Sequence, residues 1–583
     1  MIEPKDPFDR DLPSPLAALA ALRTSGEDSV IATNTISDRQ RAMYVSTEVD
    51  ENLARFIQQN SNLRLVVLSG SAGCGKSALI RNLQAAVPPG TFSQVIEDAT
   101  HADSPSEDQT RTLTQAFTGF RNGVPGQGNL LLIAANTGLL LEFQMKLRER
   151  GETGVADLVA YVLGVLGVPA APHVPEARAH DLNDHVLVID LDQRPTSGGE
   201  GKLLMRMLQT FDPSHPGTVM SDTRRCGTCQ VQQWCAPRTN AELLADPAVG
   251  RTIDQALEQI AYLRGRDIAP RQLWDCLAEL ALGSIDSASD PCESVAAAAA
   301  AQDYTAVWAG LLPNGAFLSP SGDLATELAG LDPSFRPAEK VHEVMASAGV
   351  FPDDDARAVT QLLGAKAGQR LAVETAAAAL LSPDLPRARA LVRCHWLAGA
   401  LPPLSPVPAY LTNALISEPG DDIDRVLDVV AAGLVYSFGS SAEGSSYLPT
   451  ESLAETRDAR VLVRVDLDEH LNILPPRPLV ANPAGSDIVG LRPLSGRLQI
   501  GRTFIEFDLP LFLLLQKAES GTLPSTVDIE RFHSLRYAAE RLGRTSAEDD
   551  TLPLLITDET RGTFRITVVK RRGNEQFKIV KVA

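Results

Sequence analysis

The chain has 583 residues, of which 44% are hydrophobic and 22% charged. That is the balance of a folded protein, and the length is too great for one hydrophobic core. A formal net charge of −20 argues against a free-standing, sequence-blind DNA binder, whose affinity comes from neutralising phosphates. It leaves room for a local basic surface or for DNA contact made through a partner. No apolar run approaches the ~20 residues that cross a bilayer, and the first residues, MIEPKDPFDRDLPSPLAAL, lack the basic-then-apolar order of a secretory signal. A soluble, cytoplasmic chain with no membrane role is expected.

Residues 1–45 read as an irregular lead-in with one short helix around Pro15–Arg23. In 46–240 a helix from about Glu48 to Gln59 precedes the strand Arg64–Ser69, and further apolar strands follow at Phe92–Glu97, Asn129–Ala135 and His185–Leu191. Strands alternating with helices predict a parallel sheet with crossover helices, hence an α/β domain. Residues 241–403 carry helical spacing, as in RQLWDCLAELALG and the long segment around Ala356–Leu381. The prolines of 402–407 mark a hinge. Beyond it, 404–583 turns to strand-like runs (VLVRVDLDEHLNI, RLQIGRTFIEFDLPLFLLL, TLPLLITD, TFRITVVKR, FKIVKV), predicting a β-rich α+β domain.

The sharpest chemical signal is Gly70-Ser71-Ala72-Gly73-Cys74-Gly75-Lys76-Ser77, which fits the phosphate-loop pattern in full, between an apolar strand and a helical pattern. Glycines let the backbone turn so that its N–H groups face a polyphosphate. The helix N-terminus adds its positive end. Lys76 is placed to reach the β- and γ-phosphates of ATP and Ser77 to ligate Mg2+. Cys74 reads as a small side chain rather than a redox switch.

Hydrolysis needs a carboxylate for Mg2+ and usually another to position water. The strand end IEDATH offers Asp98 first and Glu97 second; VLVIDLD offers Asp190 and Asp192 as rivals. The strand NLLLIAANTG ends in Asn136, and this resembles the first sensor strand of AAA+ ATPases. GRDIAPRQLWDCLAEL resembles the start of an AAA+ lid helix, which would make Arg271 a second sensor. For an arginine finger acting in trans the chain offers Arg148, Arg150 and Arg194. An AAA+ module implies five core strands, whereas four are evident in the sequence.

RRCGTCQVQQWCAPRTN spaces Cys226, Cys229 and Cys235 as C-x(2)-C-x(5)-C. Thiols so close in a cytosolic chain are more readily metal ligands than disulfide partners. Three thiolates leave a fourth ligand open among His215, Cys276 and Cys292, with zinc or a [4Fe–4S] cluster as the bound group. Arg224, Arg225 and Arg238 make this a locally basic place where a partner or nucleic acid could bind.

The order YVSTEVDENL, LSGSAGCGKS, IEDATH, IAANTGLLLEF, the cysteine triple, RQLWD, and finally FIEFDLPLFLLLQKAESGTLP…DIERFHSLRYAAERL resembles the DptF-type ATPases of bacterial DNA phosphorothioation systems and the related Ssp systems. The resemblance runs from about residue 44 onward. It implies an AAA+-like P-loop ATPase with a helical lid and a C-terminal α+β domain, working with other subunits in sulfur modification of DNA or in restriction of foreign DNA, with oligomerisation open. A regulatory NTPase of the STAND type, without a DNA role, is the alternative. A scaffold that uses ATP only to stabilise its fold is a third reading.

Overall fold

The structure is a computed structural model. It describes residues 9–23, 43–97, 109–125, 130–168, 174–212, 224–350, 385–450, 459–474, 483–546 and 554–582, apart from short gaps inside those ranges, with isolated residues between 355 and 362. Asp98, His215 and most of the 356–381 segment therefore lie outside the described residues. The chain divides into two compact units: residues 1–261, 266–405 and 478–491 form one, and 262–265, 406–477 and 492–583 the other.

The first unit is built on a parallel sheet of β1 (Leu65–Ser69), β2 (Gln94–Ile96), β3 (Leu131–Ala135) and β4 (Val186–Asp190), in the order β2-β3-β1-β4. β1 is central, pairing Ser69 with Ala135 of β3 on one side and with Asp190 of β4 on the other. Alternate residues enter opposite cores, as the two-residue period of a strand requires. Leu65, Val67, Leu131, Ile133, Val186 and Val188 bury against the helices Thr137–Glu149 and Thr153–Val165. Val66, Leu68, Leu132, Ala134, Leu187 and Ile189 bury against the helices Glu48–Gln59 and Lys76–Ala86, with Ile488 and Val489 of the helix Pro483–Val489. A sheet covered on both faces explains why its strands read as continuous apolar runs. The sheet has four strands among the described residues.

The helical part of this unit is fastened by groups that only fit as placed. Asn240, on the helix Ala236–Leu244, is fully buried. Its Nδ2 donates to Ala281 O (3.1 Å) and Gly310 O (2.7 Å), and its Oδ1 accepts from Leu312 N (2.8 Å). One side chain thus satisfies the ends of three helices.

The second unit holds two antiparallel sheets. β5 (Ser440–Ala442), β6 (Ser445–Pro449), β7 (Ala459–Val465), β11 (Leu554–Asp558), β12 (Gly562–Arg571) and β13 (Asn574–Val582) align as β13-β12-β11-β7-β6-β5. β8 (Leu471–Leu474), β9 (Ser495–Ile500) and β10 (Thr503–Asp508) form the smaller sheet. The run expected as strand throughout, RLQIGRTFIEFDLPLFLLL, changes partway: Leu509–Glu519 is a helix. Asp508 caps it by accepting from Leu511 N at 2.9 Å, and Pro510 sits in its first turn, where no N–H is needed.

Candidate nucleotide-binding site

β1 is wholly buried and delivers its C-terminal end to Gly70. From there the chain turns back within six residues to start the Lys76–Ala86 helix. Three glycines with positive φ make that turn sterically possible, Gly75 at +97° as the helix cap among them. Gly70 has φ +145°, and a Cβ there would lie 2.7 Å from Cys74 Sγ; Gly73 has φ +83°, and a Cβ there would lie 2.8 Å from Arg271 Cβ. Lys76 Nζ folds over the loop, donating to Gly70 O at 2.7 Å and Ser71 O at 2.9 Å. Cys74 is buried at 1% exposure. Burial pushes its thiol up while the Lys76 charge opposes, so it stays a neutral small side chain.

On one flank lies the end of β4. Asp192 accepts from Ser71 N through both carboxylate oxygens (2.9 and 2.7 Å) and from Ser71 Oγ (2.8 Å), anchoring the front of the loop. Asp190 accepts from Asp192 N at 3.1 Å and Gln193 Nε2 at 2.8 Å. Burial raises the Asp190 carboxyl, the neighbouring Asp192 charge adds to this, and Lys76 counteracts it.

Two residues further, Arg194 turns inward. It is 8% exposed, and a Cβ on Gly75 would come within 4.0 Å of its Nη2. Its Nε finds no hydrogen-bond partner among the described residues. Burial pulls its guanidinium below the ordinary value, against the opposing charge of Asp50. Asp50 belongs to the helix before β1 and is itself well held. It accepts from Thr47 N (2.8 Å), Thr47 Oγ1 (3.0 Å), Asn82 Nδ2 (2.9 Å) and the Tyr44 hydroxyl. Burial and then the Asp50 charge push that tyrosine's pKa well above its usual range.

On the other flank, β3 stands between β1 and β2 and is followed directly by Asn136. The Asn136 Oδ1 accepts from Leu139 N at 2.7 Å, so in this structure it caps the Thr137–Glu149 helix. Glu97 follows β2 and pairs with Arg81 at 3.3 Å. Arg81 lies four residues after Ser77 on one helix face, so Glu97 is tied to the helix whose first turn holds Ser77. The helix Pro270–Leu282 closes the loop from a further side: Arg271 N donates to Gly73 O at 3.3 Å.

The residues singled out in the sequence thus fall into three groups. Gly70–Ser77, Asp190, Asp192, Arg194 and Arg271 converge directly. Glu97 reaches the loop helix through Arg81, and Asn136 ends the strand beside β1. Arg148 and Arg150 lie exposed at the far end of the Thr137–Glu149 helix. Of the three arginines offered for a finger, Arg194 is buried beside its own chain's loop. Sequence reasoning missed Tyr44 and Asp50, whose only mark is the capping pattern Thr47-x-x-Asp50.

Elsewhere in the same unit Cys226, Cys229, Cys235 and Cys292 line one cavity together with Arg225 and Arg238. Arg225 is buried and bonded to Asp290 at 2.5 Å, and Arg238 is bonded to Glu242 at 3.3 Å. Arg225 and Arg238, expected as part of a basic patch, are therefore engaged within the chain. Comparison of the chain with protein-family models, with curated proteins and with solved structures returns no match. No helix among the described residues is long and apolar enough to cross a membrane.

Proposed function

We propose that the chain binds ATP with Mg2+ at Gly70–Ser77 and hydrolyses it, as the nucleotide-driven subunit of a bacterial complex that modifies DNA with phosphorothioate or restricts foreign DNA. The observation that carries the nucleotide reading is the loop itself. Its three positive-φ glycines, the lysine folded across it and the helix starting at Lys76 make a cradle of backbone N–H groups and positive charge. The role in a DNA complex is supported by the resemblance in motif order.

In this reading the backbone of Gly73–Ser77 holds the β-phosphate, and Lys76 exchanges its loop carbonyls for phosphate oxygens. Ser77 faces the Mg2+ that accompanies ATP, with the Asp98 carboxylate as its proposed acidic ligand and Glu97 as the second candidate. Arg194, dry and short of partners, supplies positive charge where negative charge grows on the transferring phosphoryl group. Arg271 ties the loop to the helix Pro270–Leu282, so a change at the phosphates reaches that helix through one hydrogen bond.

The test is nucleotide binding and phosphate release by purified protein beside Lys76→Ala, each with and without DNA, and phage restriction in cells carrying either form. Loss of binding and of restriction in the variant is expected, with DNA raising turnover. A Lys76→Ala protein that restricts phage as well as the parent overturns the nucleotide role. Nucleotide-triggered oligomerisation indifferent to DNA, with no effect on restriction, replaces the DNA assignment with a signalling NTPase.

A further inference from the structure

The nucleotide site makes no use of the second chemical cluster in this unit. Four of the seven cysteines line a single cavity that is open to solvent. Three come from one stretch. Cys226 and Cys229 are joined by a turn in which Cys229 N donates to Cys226 O at 3.3 Å. Cys235 ends the following turn and caps the Ala236–Leu244 helix, its carbonyl accepting from Thr239 Oγ1 at 3.1 Å. The fourth, Cys292, arrives from far along the chain, in the first turn of the helix Pro291–Ala301.

That long-range approach is built, not incidental. Asp290 caps the helix by accepting from Cys292 N at 3.0 Å. The same carboxylate accepts from Ser14 Oγ at 2.8 Å and from Arg225 Nη1 at 2.5 Å. Arg225 in turn donates from Nε to Leu12 O at 2.8 Å. Three separated segments are thereby clamped where Cys292 and Cys226, the residue next to Arg225, line one cavity. Cys276, the other cysteine weighed for this place, is 1% exposed in the Pro270–Leu282 helix and does not line the cavity. All seven cysteines are free thiols in the structure.

The geometry points to a metal centre held by the four thiolates of Cys226, Cys229, Cys235 and Cys292, either a zinc ion or a [4Fe–4S] cluster. Four thiolates around Zn2+ or around a [4Fe–4S]2+ core leave a charge of about −2. Arg225 and Arg238 line the same cavity, which no carboxylate lines. Among the described residues no group of three or more His, Cys, Asp or Glu is gathered closely enough to hold a metal ion as it stands. Rotation of the side chains at the cavity wall brings the sulfurs inward on binding, with release of the thiol protons. The chemistry is that of a structural site: a closed set of four protein ligands stapling residues 226–235 to the Pro291–Ala301 helix.

The experiment is elemental analysis and acid-labile sulfide assay of full-length protein purified without oxygen, with its absorption spectrum. About one zinc per chain, or about four irons and four sulfides with absorption near 400 nm, supports the site and identifies its occupant. Cys292→Ser is the decisive variant, because Cys292 lies outside the C-x(2)-C-x(5)-C run. It should lose most of the metal and unfold at lower temperature, whereas Cys276→Ser and Cys394→Ser keep full metal. Where Cys292→Ser fails to accumulate, chelator treatment of the unaltered protein, followed by counting reactive thiols, gives the same readout: about four thiols should become newly reactive. Protein that holds no stoichiometric metal, that carries disulfides among these cysteines, or that keeps its metal in Cys292→Ser overturns the inference.

Discussion

Arg194→Met separates a working arginine from a structural one. The side chain is 8% exposed and its Nε lacks a hydrogen-bond partner among the described residues. A buried polar group left unpaired costs about 1–3 kcal/mol, and Met removes that cost while filling much of the same volume. Against this stands the attraction to Asp50, which already has four other donors. The balance predicts an unfolding free energy within about 1 kcal/mol of the parent, or higher, because replacing buried charge by apolar bulk is often neutral or stabilising. Turnover should behave oppositely. An arginine that stabilises charge in phosphoryl transfer is worth about 10³–10⁵ in rate, so phosphate release at saturating ATP should fall by at least about a thousandfold. Both quantities are read on one preparation, by thermal unfolding and by steady-state phosphate release. A variant that hydrolyses ATP at the parental rate refutes the role. So does one destabilised by several kcal/mol whose activity loss follows its unfolded fraction, since Arg194 would then serve the fold alone.

Three further outcomes follow from the same geometry. Gly70→Ala puts a side chain at φ +145° and 2.7 Å from Cys74 Sγ; a free loop that relaxes to shed strain of about 1–3 kcal/mol must regain it on binding, so ATP affinity in a fluorescent-nucleotide titration should fall roughly 5- to 150-fold. Asp190 has a carboxyl raised by burial, so it takes up a proton more readily folded than unfolded. Its contribution favours the fold below the ordinary carboxylate range and is lost as pH rises through its raised value. Asp190→Asn should therefore stabilise the protein at pH 7 relative to the parent, and the gain should shrink toward pH 4 in thermal melts. Asn240→Ala strands Ala281 O, Gly310 O and Leu312 N in a buried position. Unpaired groups of this kind cost about 1–3 kcal/mol each, so denaturant midpoints should drop clearly, while Asn240→Ala with unchanged stability would contradict the packing described.

The parallel sheet was legible because its strands are buried on both faces, so each reads as an apolar run; β1, β3 and β4 fall within one or two residues of the expected spans. The phosphate loop was legible for a different reason: steric demand at Gly70 and Gly73 restricts those positions to one residue type, and chemistry restricts Lys76. Arg194 was visible only as one of three arginines, since nothing local in DLDQRPTSGG distinguishes a residue turned inward from one turned out. The charges that act on it include Asp50 and Tyr44, some 150 residues earlier in the chain, and no periodicity carries that information. The helix Leu509–Glu519 was read as strand because LPLFLLL is apolar without a period, and the deciding residues, the Asp508 cap and Pro510, act through backbone N–H groups instead of hydrophobicity. Cys292 shows the same limit from the other side. Its place in the cavity lined by Cys226 rests on Asp290 joining Ser14, Arg225 and its own helix, a junction of three segments that spacing along the chain cannot encode. The local motifs thus name the chemistry, and the long-range polar contacts of Asp50 and Asp290 decide which distant residues join it.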